Sequence, residues 1–392
     1  MITELTISHY RSIGEVTIPL GPLNVLIGRN GSGKSNIVDA IGFISDIANE
    51  DLDYAVVKRH GIDSIRQWSK TRPFNITIQV KTSSDGGEGF YRIVISSARN
   101  TYRIVEETAK WRGKKTYDPE SRVATTVQRD QTGSLKVETD YDEDDLNIDD
   151  LKSSRIDNNQ SVLSHLRGKL YSLSWALGGL AQEVSSFSAF TIFPNTIRSP
   201  QTISRATSLE QDGKNIASIL KNLPTDSRRR IVKHLRVVMP NLVNIAVRSA
   251  AGYYVPVFLV SELGDAQTHE LNMSQISDGT LRMLGILSAL YQVQSPNKVV
   301  IEEPEQMVHP ALLIVLRDAV LDFSHRRSRA QVFLTTHSPA MIDLFDVSTI
   351  IGVEYDGIST QAGPISDRQK NIVRSGLMTL GDVVLAEGLE LA

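Results

Sequence analysis

Apolar and polar positions change period several times along the chain, and each change predicts an element. Leu5 and Ile7, then Val16 and Ile18, alternate with polar neighbours, with Gly21-Pro22 as punctuation, which predicts short strands. Leu23-Asn24-Val25-Leu26-Ile27 is an apolar run and reads as a buried strand, whereas Asn36 to Ile44 carries apolar residues at helical spacing. Phe74 to Val80 alternates cleanly, and Phe90–Ile95 and Thr101–Val105 follow after Gly, Ser and Asn, so antiparallel strands are expected across residues 74–140. Residues 140–160 are polar and read as a loop, and residues 161–247 read mostly as helices interrupted near Pro194, Pro200 and Pro224. Ala251-Gly252 precedes a strand, Tyr253–Val260, and residues 270–345 alternate helix and strand, as a parallel sheet with crossover helices requires. No repeat and no sustained heptads are found. The expectation is an α/β protein in three segments. Residues 1–140 hold an N-terminal lobe with an antiparallel β region, 141–250 a mostly helical insertion, and 251–392 a C-terminal lobe. The core sheet is mixed or parallel, and no long coiled coil is expected.

Composition narrows the class. The chain has 392 residues, 41% hydrophobic and 22% charged, an ordinary globular balance. No run of 18 apolar residues predicts a membrane span, and the first residues lack the basic and apolar regions of a signal peptide. There is no cysteine, which excludes disulfides, cysteine-held zinc and cysteine nucleophiles and fits the cytoplasm. With a net charge of −3, contact with nucleic acid would need a local basic surface. Arg228-Arg229-Arg230 with Lys233 and Arg236 is the candidate, although such runs are more often solvated helix faces. Glu138, Asp140, Asp142, Glu143, Asp144, Asp145, Asp149 and Asp150 read as an acidic, solvated loop.

Candidate chemistry begins at Gly28-Arg29-Asn30-Gly31-Ser32-Gly33-Lys34-Ser35, which fits G-x-x-x-x-G-K-[ST], the phosphate-cradling P-loop. Its context is the required one, strand before and helix after. Glycines let backbone N–H groups approach phosphates, and the helix N-terminus adds partial positive charge there. Lys34 would reach the β- and γ-phosphates of ATP, and the Ser35 hydroxyl would bind Mg2+.

Three further segments fit the same chemistry. Lys298-Val299-Val300-Ile301 is an apolar strand ending in Glu302-Glu303. Carboxylates at that edge of a parallel sheet lie where ligands bind. Glu302 would hold Mg2+, directly or through water, and Glu303 would polarise the attacking water. Gln331–Thr336 is a second apolar strand, and it ends at His337, a candidate for the γ-phosphate end of the site. Ile276-Ser277-Asp278-Gly279-Thr280 opens a strongly apolar helix; alone, it is a plain N-cap.

Together, and in their order along the chain, the four segments resemble the ABC-type P-loop ATPase heads of the SMC, RecF and OLD-like families. The resemblance spans nearly the whole chain. It makes Gly28–Ser35 the Walker A loop, Ile276–Thr280 the signature, Val299–Glu303 Walker B and His337 the switch histidine. The start, Ile7 to Ile13, looks like the families' opening strand, whose aromatic-Arg-Ser turn brings a basic residue, here Arg11, near the nucleotide. Asp212–Ala217 and Glu305–Pro310 look typical of the RecF- and OLD-like branch, the latter covering the D-loop region. The resemblance implies ATP and Mg2+, with Asn30, Gly31, Ser32, Gly33, Lys34, Ser35 and Asn36 around the phosphates. It implies a homodimer or higher homo-oligomer in which Ser277 and Gly279 reach the nucleotide from a second protomer. The signature departs from the transporter pattern Leu-Ser-Gly-Gly-Gln, and Glu302 stands where Asp is usual. Gln79 and Gln182 are the candidates for the glutamine loop. The stretch after His337 is shorter than a Toprim nuclease, so any effector, nuclease or toxin, is expected to be separate. The expected function is an ATP-hydrolysing switch acting with nucleic acid or such an effector, in anti-phage defence. The alternatives are a RecF-like DNA repair ATPase and a slowly hydrolysing scaffold. A membrane role is not expected.

Overall fold

The computed structural model describes every residue of the chain except 71–72, 99–100, 115–120, 142–154, 167–172, 262–266 and 327–328. The described residues form two compact units. One comprises Met1–Phe187, Ile351–Asn371 and Leu389–Ala392; the other comprises Ser188–Ile350 and Ile372–Gly388. The division therefore runs through the segment 141–250, which contributes to both.

The first unit is built on a mixed sheet. Its strands are β1 (Ile2–Tyr10), β2 (Ile13–Pro19), β3 (Leu23–Ile27), β4 (Ile76–Ser84), β5 (Gly87–Ser96), β6 (Arg103–Lys114), β7 (Arg122–Arg129) and β8 (Leu135–Thr139). Two strands from far along the chain, β16 (Ile350–Tyr355) and β17 (Thr360–Pro364), complete it. They lie in the order β8-β7-β6-β5-β4-β1-β2-β17-β16-β3. From β8 to β2 every neighbour is antiparallel, and β17 then meets β2 in parallel. The antiparallel region expected over residues 74–140 is present, with more strands than the three segments singled out. β6 runs to Lys114, and β7 and β8 follow it. Their inner positions are buried while Lys110, Arg112 and Gln128 face solvent, so the polar face dilutes the apolar signal. All five residues of β3 are buried, which is why it reads as a continuous apolar run. The helix Lys34–Asn49 follows it and buries Ile37, Ile41, Phe43, Ile44 and Ile47.

The second unit centres on the helix Asp278–Tyr291, whose residues from Gly279 onward are all buried. Two parallel strands, β14 (Lys298–Glu302) and β15 (Gln331–Thr336), are joined by the helix Pro310–Arg326. Parallel pairing through a crossover helix is the arrangement expected for this region. Strand β9 (Phe187–Phe190) flanks β14. A separate antiparallel group contains β10 (Gln201–Thr202), β11 (Leu242–Ala250), β12 (Tyr253–Ser261) and β13 (Thr268–Asn272), all paired to β12. Across 161–247 the described residues alternate short helices with β9, β10, the start of β11 and irregular stretches such as 203–215, so the region is less helical than expected. Pro194 starts a helix there (Pro194–Arg198) rather than breaking one, because the first helical position needs no N–H donor.

The basic run lies on a largely exposed helix face, with partners beside it. Arg228 donates to the Leu220 carbonyl, Arg229 pairs with Asp226, Arg230 with Asp322, and Arg236 donates to the Leu242 carbonyl. Most of that basic run is therefore engaged within its own unit. In the acidic stretch Glu138 pairs with Lys136, and Asp140 accepts the Ala124 N–H at 2.9 Å. Asp142, Glu143, Asp144, Asp145, Asp149 and Asp150 lie outside the described residues.

One buried carboxyl stands out in the antiparallel region. Glu107 is 1% exposed. It accepts the Tyr91 hydroxyl at 2.8 Å and the Val162 N–H at 2.9 Å. Burial pushes its pKa up from 4.5 to about 7, against the opposing pull of the Val162 N–H, Tyr91 and Arg129. The folded protein thus holds a proton that the unfolded chain releases. The stability this contributes is complete below 4.5 and is lost as pH rises to about 7. Glu107→Gln should remove that loss: over this window wild type should lose up to about 3 kcal/mol more than the variant. Parallel pH dependences of the two proteins in denaturant melts would contradict it.

Candidate nucleotide-binding site

In the first unit, β3 delivers the chain into the loop Gly28–Gly33 and the helix begins at Lys34. No side chain caps this helix. Gly33 is its N-cap, at φ 105, a left-handed conformation open mainly to glycine. A Cβ there would also lie 2.2 Å from Thr360 Oγ1. Thr360 occupies that space for a reason. Its hydroxyl donates to the Ser32 carbonyl at 2.9 Å and lies 2.7 Å from Ser12 Oγ, while its N–H donates to the Ser12 carbonyl. Asn36 Nδ2 donates to Ser12 Oγ at 2.7 Å. The β1–β2 turn and β17 thus bracket the loop from behind. Thr360 carries no motif, and sequence reasoning missed it.

Lys34 is 6% exposed, and its ammonium donates to the carbonyls of Gly28 and Arg29 at 2.7 and 2.9 Å. Its charge is held inside the ring of the loop. Asn30, Gly31 and Ser35 are exposed, and the buried Ser32 hydroxyl has no hydrogen-bond partner. Arg11 adopts φ 51 and pairs with Asp39 on the P-loop helix at 2.8 Å. Asp39 also accepts the Tyr10 hydroxyl at 2.6 Å and Arg59 Nε at 2.8 Å. Burial, then the Asp39 charge, raises the Tyr10 pKa well above its ordinary value.

In the second unit, Glu302 stands opposite Thr335 at the ends of β14 and β15. Glu303 follows with φ 42, left-handed in a non-glycine residue, a strain of about 1–3 kcal/mol. Its N–H donates to the Thr335 carbonyl at 2.9 Å. His337 Nδ1 lies 3.4 Å from Glu303 Oε1 and 3.9 Å from Glu305 Oε1. Gln306 Nε2 donates to the other Glu303 oxygen, and the Thr336 hydroxyl donates to Glu305. Carboxylate and imidazole are thus brought together at the strand ends.

The signature segment is a well-made helix start. Ser277 is the N-cap; its oxygen accepts the Thr280 N–H at 3.3 Å and lies 2.8 Å from Thr280 Oγ1. Arg198 holds the turn from outside: it pairs with Asp278 at 2.5 Å and donates to the Ile276 carbonyl at 2.8 Å. Gly279 is buried, and a Cβ on it would lie 2.8 Å from the Met307 carbonyl. That close approach explains the glycine, while Ser277 stays exposed. Asp212–Ala217 forms a turn closed by Asn215, which accepts the Glu210 N–H and donates to the Ser208 carbonyl, both at 2.9 Å. Gln79 sits within β4 opposite Thr6 and Arg92, and Gln182 is exposed on the helix Ser174–Ser185.

The residues fit a magnesium nucleotide. An uncapped helix start, a buried lysine and an unpartnered serine hydroxyl suit phosphate oxygens. Ser35 in the first unit and, separately, Glu302 in the second are each a hard oxygen donor of the kind Mg2+ takes.

A P-loop on a buried strand, with paired carboxylates and a histidine at parallel strand ends, defines an ABC-type ATPase head of the SMC/RecF-like class. The chain belongs to the family described as "AAA domain, putative AbiEii toxin, Type IV TA system", which matches residues 23–343. A segment is 44% identical over 45 residues to the DNA replication and repair protein RecF of Brucella abortus (strain 2308), covering 11% of this chain and 12% of that protein. RecF of Corynebacterium jeikeium (strain K411) is 36% identical over 61 residues, 15% of this chain and 14% of that protein. The chain therefore spans about an eighth of the length of these curated relatives. Among solved structures, the SMC head bound to the C-winged helix domain of ScpA superposes with a TM-score of 0.51 at 14% identity, covering 92% of this chain and 96% of that one. That likeness shows the fold. No helix among the described residues is long and apolar enough to cross a membrane.

Gly33→Ala should destabilise the first unit by about 1–3 kcal/mol and weaken nucleotide binding, because both the backbone conformation and the space are taken. An unchanged melting temperature with unchanged ATP affinity would contradict the bracket described above.

Proposed function

We propose that the chain is an ATP-hydrolysing molecular switch. It binds magnesium ATP on the Gly28–Ser35 loop, closes on a second copy of itself around the nucleotide, and acts with nucleic acid or a separate effector, a nuclease or toxin, in anti-phage defence. The observation that carries hydrolysis is the pair Glu303 and His337, 3.4 Å apart where two parallel strands end. Glu303 accepts the proton of the attacking water, and His337, when Nδ1 carries a proton, orients that carboxylate. Lys34 leaves its loop carbonyls to meet the β- and γ-phosphates. Ser35 and Glu302 are the residues that would hold Mg2+, which would neutralise phosphate charge. Arg11 adds positive charge beside the nucleotide. The exposed Ser277 hydroxyl serves the second protomer's nucleotide, and Gly279 keeps that turn tight. Two helix N-termini meeting one phosphate give ATP its role as the link between protomers. Supporting this reading are the family, whose description includes a toxin, and the SMC-head fold. In this reading the protein works in the cytoplasm, away from membranes.

The short RecF identity favours a second reading, a DNA repair ATPase. The two differ in their response to DNA. ATPase rates with and without duplex DNA, for wild type, Glu303→Gln and Lys34→Ala, test both. Glu303→Gln should lose at least about a hundredfold in kcat and still bind ATP, whereas Lys34→Ala should lose binding. Stimulation by DNA alone favours repair, and a rate that rises only with an effector favours defence. Wild-type turnover by Glu303→Gln would overturn the assignment.

A further inference from the structure

The helix that begins at Ser277 reaches the hydrolytic carboxylate through one buried cation. Arg282 lies on that helix and is 3% exposed. Its Nη2 donates to the Glu303 carbonyl at 3.0 Å and the Glu302 carbonyl at 3.4 Å, and its Nε has no partner. Its hydrogen bonds thus go to main chain and not to a carboxylate. Burying a guanidinium costs several kcal/mol. Burial lowers the Arg282 pKa, while the charges of Glu305 and Glu303 oppose that effect. Its position matters because Glu303 is the strained residue, at φ 42, and its carbonyl is one of the two that Arg282 holds. The bond restrains the peptide that sets where the Glu303 side chain points. The same helix presents Ser277 at its exposed end.

We infer that Arg282 is a positioning residue: it holds Glu303 in its hydrolytic geometry and carries contact at Ser277 to that carboxylate. The inference rests on the assignment of Glu303 as the hydrolytic carboxylate. A displacement of about 1 Å at such a group costs on the order of a hundredfold in rate.

Steady-state ATP hydrolysis, ATP affinity and melting temperature would be measured for wild type, Arg282→Met, Arg282→Gln, Arg282→Lys and Glu303→Gln. Arg282→Met should lose about a hundredfold in kcat with KM and ATP affinity unchanged, and Arg282→Lys should recover most of it. If Arg282→Met melts too low to assay, Arg282→Gln gives the same comparison at closer polarity. Arg282→Met or Arg282→Gln within threefold of wild type, beside an inactive Glu303→Gln, would overturn the inference. Loss of ATP affinity in step with the rate would also overturn it, since Arg282 would then serve binding. An active Glu303→Gln would instead remove the assignment beneath it, whatever Arg282 does.

Discussion

The Thr360 hydroxyl holds the main chain of the phosphate loop at Ser32, beside the glycine that starts the helix. It donates to Ser32, meets Ser12, and fills the space a Cβ on Gly33 would need. The loop's geometry therefore depends on a strand more than three hundred positions away. A left-handed glycine at a helix start is adaptable in isolation. Behind it, the bracket of Ser12, Asn36 and Thr360 makes one conformation persist, which is what a preformed anion site requires.

The second unit uses a different economy. Non-glycine residues take left-handed backbone at Glu303 and Met307, an arginine is buried with its Nε unpartnered, and Glu305 keeps an unpartnered buried oxygen. Each is unfavourable alone. They cluster around one turn after β14, and such clustering is common where chemistry is done. Parallel strands and apolar helices provide the rigid frame that tolerates them.

Much of this was legible in the sequence because it is written locally. The P-loop reads from strand, glycines and helix within one short window, and β14 and β15 read from apolar runs ending in carboxylates and a histidine. The structure places Glu303 and His337 together, as that pattern implied. What escaped is either distant or masked by polarity. Thr360, Arg198 and Arg282 act through partners remote in sequence, and no spacing rule ties them to a motif. β7 and β8 present a polar face that breaks the apolar signal, and Pro194 has the composition of a breaker at a position that starts a helix. The basic run near Arg229 is the exposed helix face its composition suggests, and only the Arg230–Asp322 pair reaches far along the chain.

Asp39 shows how a site can be built to let go. Three donors converge on it, Tyr10, Arg11 and Arg59, and of the two cations Arg59 is the more deeply buried. If Arg11 turns toward another anion, Asp39 keeps a charged partner and a hydroxyl, so no isolated charge is left behind. The arginine is parked, not spent: its departure needs only the exchange of one anion for another, and the helix beneath it keeps its shape throughout.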